Sequence, residues 1–125
     1  MSQKLRILIV EDNHVDIRFV NEALKQAGPM NFQIEPVGQL SEALTRLERK
    51  GIDLVILDLG LPDSQGMATF RTLRQAAPGI PVIVLTGNDD QDLAIAAVRD
   101  GAQDYLIKGQ IGGKPLIRAV RYALA

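Results

Sequence analysis

The chain has 125 residues, enough for one domain spanning 1–125 with its own core, and 46% of them are hydrophobic and 23% charged, a globular rather than a disordered profile. A net charge of −1 excludes the basic field on which non-specific nucleic-acid binding draws, so direct contact with nucleic acid is not expected. With no cysteine there is neither a disulfide framework nor a thiolate metal site, and the first apolar run is too short for a signal-peptide core or a membrane span; a soluble, cytoplasmic chain without membrane insertion is expected.

Leu5 to Val10 is a continuous aliphatic run that predicts a strand and ends in Glu11-Asp12. Ile17, Val20, Leu24 and Ala27 then recur at steps of three and four, the period of a helix, with Gly28-Pro29 as its stop. Phe32 to Val37 is a weaker strand pattern, followed by a helix around Ala43, Leu44 and Leu47 that Gly51 closes. Leu54 to Leu57 is again purely aliphatic and runs into Asp58; the helix after it is carried by Met67, Phe70, Leu73 and Ala77 and halted at Pro78-Gly79. Pro81 to Leu85 gives the next strand, ending in Thr86-Gly87-Asn88, and Leu93, Ala97 and Val98 mark a helix that stops at Gly101. Asp104 to Ile107 is the last strand, leading into Lys108, a loose stretch from Gly109 to Gly113, and a helix with Ile117, Val120 and Leu124 on its apolar side. Aliphatic runs without alternation are how parallel strands covered on both faces read. Five strand-then-helix units with right-handed crossovers therefore predict an α/β fold, a doubly wound five-stranded parallel sheet with helices on both faces.

Ligands of open α/β sheets bind beyond the carboxyl ends of the strands, where this chain is unusually polar: Glu11-Asp12, Asp58, Thr86 and Lys108. Three carboxylates converging from two strands repel one another unless a cation or proton relieves them, and hard oxygen ligands with open positions suit Mg²⁺ or Mn²⁺. A carboxylate beside such a metal can act as a nucleophile toward a phosphoryl group, giving an acyl phosphate, with a lysine and the metal neutralising the transferring oxygens. Taken singly, several of these residues have plainer roles. Glu11-Asp12 suits a helix N-terminus, Lys108 a surface position, Thr86 a strand end and Tyr105 a half-buried strand position. Asp58 resists such a reading, because a carboxylate that continues a buried aliphatic run bears a desolvation cost. His14, the only histidine, is expected to be solvated; Asp89, Asp90 and Asp92 are expected to cap and begin a helix, and Asp63 to sit in a turn.

Glu11-Asp12, the segment Val55-Ile56-Leu57-Asp58-Leu59-Gly60-Leu61-Pro62-Asp63-Ser64-Gln65-Gly66, Leu85-Thr86-Gly87 and Asp104-Tyr105-Leu106-Ile107-Lys108 together resemble the receiver domains of bacterial response regulators, in order and across essentially the whole chain. The resemblance implies a flavodoxin-like sheet of strand order 2-1-3-4-5. It implies that Asp58 accepts a phosphoryl group from the phosphohistidine of a sensor histidine kinase or histidine phosphotransfer protein. Asp12, Asp58 and the Gly60 carbonyl would hold Mg²⁺, with Glu11 on metal-bound water or on the metal. Thr86 and Lys108 would bind the phosphoryl oxygens, and Tyr105 would be the switch aromatic. The output face, or a homodimer contact, would be formed by the fourth helix, fifth strand and fifth helix, roughly Asp90 to Arg99, Asp104 to Ile107 and Lys114 to Ala123, and would engage a downstream effector. The chain would be a phosphoacceptor that promotes its own phosphorylation and dephosphorylation rather than an enzyme in the usual sense.

One departure is Gly109, where many receivers have proline after the lysine in a cis peptide; a cis bond before a non-proline residue is costly, so a trans Lys108-Gly109 bond is expected. Three other functions fit the residues less well. An aspartyl phosphatase of the haloacid-dehalogenase type wants a second Asp where this chain has Gly60. A flavin or nucleotide binder wants a phosphate-cradling glycine loop where it has Glu11-Asp12. An unphosphorylated interaction module would be expected to have lost Asp58, Thr86 or Lys108. With the helical pattern still running at Leu124-Ala125, the chain reads as an excised part of a longer regulator as readily as a free-standing one.

Overall fold

The computed structural model describes residues 4–26, 31–108 and 113–125. Strands β1 (Lys4–Val10), β2 (Asn31–Val37), β3 (Leu54–Asp58), β4 (Val82–Thr86) and β5 (Asp104–Ile107) form one parallel sheet in the order β2-β1-β3-β4-β5, as expected. The helices between and after them are α1 (His14–Lys25), α2 (Leu40–Glu48), α3 (Met67–Ala76), α4 (Gln91–Arg99) and α5 (Gly113–Leu124).

The purely aliphatic strands follow from having helices on both faces. Leu8, Val10, Val55, Leu57, Val82 and Val84 point to one side, against Ala43 and Leu47 of α2, Phe70 and Leu73 of α3 and Ala97 of α4. Ile7, Ile9, Leu54, Ile56, Ile83 and Leu85 point to the other, against Val20 and Leu24 of α1 and Leu116 and Val120 of α5. Every residue of β3 and β4 is buried, so these two strands make the rigid centre from which the site projects. Edge strand β2 is half-exposed, and α2 is clamped to it by a two-point ion pair in which Arg46 donates to both Glu35 oxygens, at 2.6 and 3.2 Å. The same contact holds the Glu35 carboxyl below its ordinary range.

Helix ends are set partly by residues with other expected roles. The cap of α1 is Asn13, whose side-chain oxygen accepts the N–H groups of Val15 and Asp16 at 2.9 and 3.2 Å, so Glu11 and Asp12 do not serve as its cap. Asp63 sits in a turn as expected, inside a two-residue hairpin that pairs Gly60-Leu61 with Ser64-Gln65. Its carboxylate does more: it accepts the N–H groups of Leu40 and Ser41 at 2.8 and 3.0 Å, capping α2 from across the chain, and these bonds hold its carboxyl below the ordinary range. Asp89 and Asp90 lie in a short 3₁₀ turn before α4, and Asp92 in the first turn of α4. Asp90 stands at the cap position, but its side chain makes no cap bond, which corrects the capping role expected of it.

Gly51 (φ 96°) and Gly101 (φ 116°) end α2 and α4 as predicted, in backbone conformations that side-chain-bearing residues rarely adopt. A Cβ built on Gly101 would also overlap the Arg74 guanidinium, which can swing away, leaving the backbone conformation as the main cost. Gly101→Ala is expected to lower stability by about 1–3 kcal/mol in urea unfolding, and a change within error would show that the turn relaxes at no cost. The Ala27 to Pro29 helix stop and positions 109–112 of the Gly109 to Gly113 loop lie outside the described residues, as does the Lys108-Gly109 bond.

Candidate functional site

Strand register brings the polar residues to one end of the sheet. Val10 is level with Leu57, Asp58 with Leu85 and Thr86 with Ile107, so the carboxyl ends of β1, β3, β4 and β5 open into a common crevice. The sheet pairing runs one residue further on both sides. Glu11 donates its N–H to the Val37 carbonyl at 2.9 Å, and Lys108 donates its N–H to the Thr86 carbonyl at 2.7 Å. Asp58 and Thr86 are the last residues of their strands rather than the first beyond them, which fixes their backbones within the buried sheet.

The Glu11 side chain is fully buried, Asp58 is 9% exposed, and Asp12 is exposed at the rim. Asp58 accepts the Gly60 N–H on Oδ1 at 3.0 Å and the Lys108 ammonium on Oδ2 at 2.9 Å. That ammonium also pairs with Glu11, and with Asp16 Oδ2 at 3.1 Å. Sequence reasoning missed Asp16. Its position in the first turn of α1 is one where an acidic group ordinarily complements the helix dipole, and that plainer role masks its reach into the crevice.

Burial and the neighbouring Asp58 push the Glu11 carboxyl up from 4.5 to about 8, against the pull of Lys108. Burial by itself would lower the Lys108 ammonium; the hydrogen bonds it donates to Glu11 and Asp58 outweigh it and raise the group, so the lysine stays charged. Glu11, Asp12 and Asp58 each offer an oxygen, all within 4.8 Å of one another. Three carboxylates, Glu11, Asp58 and Asp16, pair with the Lys108 ammonium while Asp12 stands beside two of them, so negative charge is in excess in a crevice whose burial already raises Glu11. An all-oxygen donor set with surplus negative charge fits a hard divalent cation such as Mg²⁺ or Mn²⁺.

Thr86 is 2% exposed, and its hydroxyl donates to the carbonyls of Gly87 and Asp90, at 3.3 and 3.2 Å, rather than to Asp58. Tyr105 is half-buried, level with Val84 on the face covered by α4, and packs against the cluster that contains Ala97. His14 is exposed, as expected. Among the described residues no helix is long and apolar enough to cross a membrane.

Over residues 7–121 the chain matches the family described as response regulator receiver domain. The KDP operon transcriptional regulatory protein KdpE of Escherichia coli (strain K12) is 45% identical over 103 residues, covering 82% of this chain and 44% of that protein. Regulatory protein LuxO of Vibrio cholerae is 38% identical over 80 residues, 64% of this chain and 18% of its own length. The chain thus spans less than half the length of these relatives. Among solved structures, a response regulator receiver domain protein from Clostridium thermocellum superposes with a TM-score of 0.83 at 29% identity, covering 96% of this chain and 94% of that one. The receiver domain of NtrX from Brucella abortus superposes with a TM-score of 0.81 at 30% identity, covering 94% and 97%.

Proposed function

This chain belongs to the response regulator receiver domains of two-component signalling, and from that premise we propose that it is a single phosphoacceptor unit switched by a phosphoryl group on Asp58. The observation that carries this reading is a nearly buried carboxylate at the end of a buried strand, hydrogen-bonded to Lys108 and grouped with two further carboxylates. The donor would be a phosphohistidine on a sensor kinase or phosphotransfer protein in the cytoplasm. An Asp58 oxygen bonds to phosphorus as the P–N bond breaks, and the bonding electron pair leaves with the imidazole nitrogen. Glu11, Asp12, Asp58 and the Gly60 carbonyl would hold Mg²⁺ or Mn²⁺. When bound, the ion supplies charge compensation for the transferring oxygens. Lys108 supplies a second positive charge, already aimed at Asp58.

Treatment with acetyl phosphate and Mg²⁺, followed by peptide mapping, tests the assignment. A hydroxylamine-sensitive acyl phosphate on Asp58 is expected; a phosphoserine, phosphothreonine or phosphohistidine with Asp58 unmodified would overturn it. Asp12→Asn is expected to weaken Mg²⁺ binding markedly, as followed by titration, since it removes one of three anionic ligands. Equal affinity in the two proteins would take Asp12 out of the metal site.

The output step would run through Thr86 and Tyr105. In the unphosphorylated state the Thr86 hydroxyl is spent on the β4–α4 loop, so binding a phosphoryl oxygen requires it to leave Gly87 and Asp90 and lets that loop and Tyr105 rearrange. Ile95 and Val98 of α4 are each 38% exposed on the proposed output face, apolar surface that an effector or a second copy would cover. Thr86→Ala is expected to leave phosphorylation of Asp58 in place while the Tyr105 resonances cease to respond to beryllofluoride. A full Tyr105 response in that variant would remove Thr86 from the switch.

A further inference from the structure

An ammonium has three N–H donors, and Lys108 faces three carboxylates: Glu11 just after β1, Asp58 at the end of β3 and Asp16 in the first turn of α1. Two of them have other work in the proposed function. Glu11 and Asp58 belong with Asp12 to the oxygen group suited to a cation, and Asp58 is also the phosphoacceptor. Asp16 stands outside that group. Its backbone is fixed, because its N–H is bonded to the Asn13 cap at 3.2 Å, and its carboxylate is 26% exposed while touching the lysine at 3.1 Å. The Lys108 backbone is anchored by its N–H bond to the Thr86 carbonyl at 2.7 Å, and beyond that anchor the contacts of its long side chain are the three carboxylates.

We propose that Asp16 is a positioning residue for Lys108, the carboxylate that keeps the ammonium at the mouth of the crevice when Glu11 and Asp58 are engaged elsewhere. This rests on Asp58 as phosphoacceptor and Lys108 as its countercharge. Because the pair is partly solvated, removing it should change rates by a few-fold rather than abolish them.

The test uses the whole chain and its Asp16→Asn and Asp16→Glu variants, with the Lys108 ammonium ¹H–¹⁵N signal assigned by its loss in Lys108→Ala. In the unsubstituted protein and in Asp16→Glu the signal should persist when Mg²⁺ is added; in Asp16→Asn it should broaden or vanish. Phosphorylation by acetyl phosphate should slow roughly three-fold in Asp16→Asn, and the same substitution should have no further effect in a Lys108→Ala background. An ammonium signal unchanged in Asp16→Asn overturns the proposal. So does equal slowing in the Lys108→Ala background, which would make Asp16 act directly, or a marked fall in Mg²⁺ affinity, which would make it a ligand. If the unsubstituted chain takes up no phosphoryl group, the phosphoacceptor assignment fails, and the ammonium signal alone still decides whether Asp16 holds the lysine.

Discussion

Asp58→Asn is expected to abolish phosphoryl uptake under conditions that load the unsubstituted chain, and at the same time to make the metal-free protein more stable. The first effect follows from chemistry, since an amide oxygen is too poor a nucleophile to form an acyl phosphate. The second follows from charge. Asp58 helps to push Glu11 upward, so neutralising it removes one negative charge from a desolvated crevice in which carboxylates outnumber the Lys108 ammonium. Lys108 is not orphaned, because it keeps Glu11 and Asp16, and the asparagine oxygen can still accept the Gly60 N–H. A gain of about 1 kcal/mol in urea unfolding without Mg²⁺ is expected, shrinking when Mg²⁺ is present. Intact mass after acetyl phosphate treatment reads the first effect. An Asp58→Asn protein that still gains one phosphoryl group would move the acceptor elsewhere, and one that loses stability without Mg²⁺ would mean that the Asp58 charge is a net support of the fold.

Lys108→Ala is the second large effect, on both phosphorylation and stability. Removing a fixed charge aimed at the acceptor should slow phosphorylation on the order of a hundredfold. It should also cost about 1–3 kcal/mol at neutral pH, because Asp58 loses the cation that satisfied it in a mostly buried crevice and Asp16 loses its partner. The pH dependence has a definite sign. Glu11 titrates higher in the folded chain, near 8, than its ordinary 4.5, so the folded state holds this proton more tightly than the unfolded state. Stability is therefore lost as pH rises from about 4.5, and the loss levels off above about 8. Without Lys108 the pull that lowers Glu11 disappears, and the decline continues to higher pH. The gap between the two proteins in Mg²⁺-free urea titrations should widen above pH 8 and narrow when Mg²⁺ is added. A gap that stays constant with pH would separate Lys108 from Glu11, and undiminished phosphorylation would make the lysine a bystander.

The parallel strands and all five helices could be anticipated because burial on both faces leaves an unmistakable aliphatic record in β1, β3 and β4, and because Gly51 and Gly101 mark helix stops; the order of the strands followed only from the family resemblance. The crevice could be anticipated for a different reason: polar residues at the ends of such strands have nowhere else to go. What local patterns do not encode is contact between distant segments. Asp63 reads as a turn residue, yet its carboxylate caps a helix 22 residues earlier. Arg46 belongs to no apolar period or motif, yet it is 8% exposed and clamps β2. Asp16 reads as a dipole-complementing acid, yet it meets Lys108 from the opposite end of the chain. In each case a short-range explanation sufficed, so nothing in the sequence called for a longer one.

The bond from Asp63 to α2 makes two backbone amides into spectators of the hairpin that follows Asp58. Leu40 and Ser41 begin a helix, where N–H groups ordinarily lack a partner and exchange readily with deuterated solvent. Among the described residues, their protection of this kind comes from a carboxylate in the hairpin that begins two residues after Asp58. Deuterium uptake at these two sites therefore reports whether that hairpin stays closed, without any label on Asp58 itself. For an engineer, the same bond means that α2 cannot be trimmed or replaced at its start without slackening the hairpin that follows Asp58.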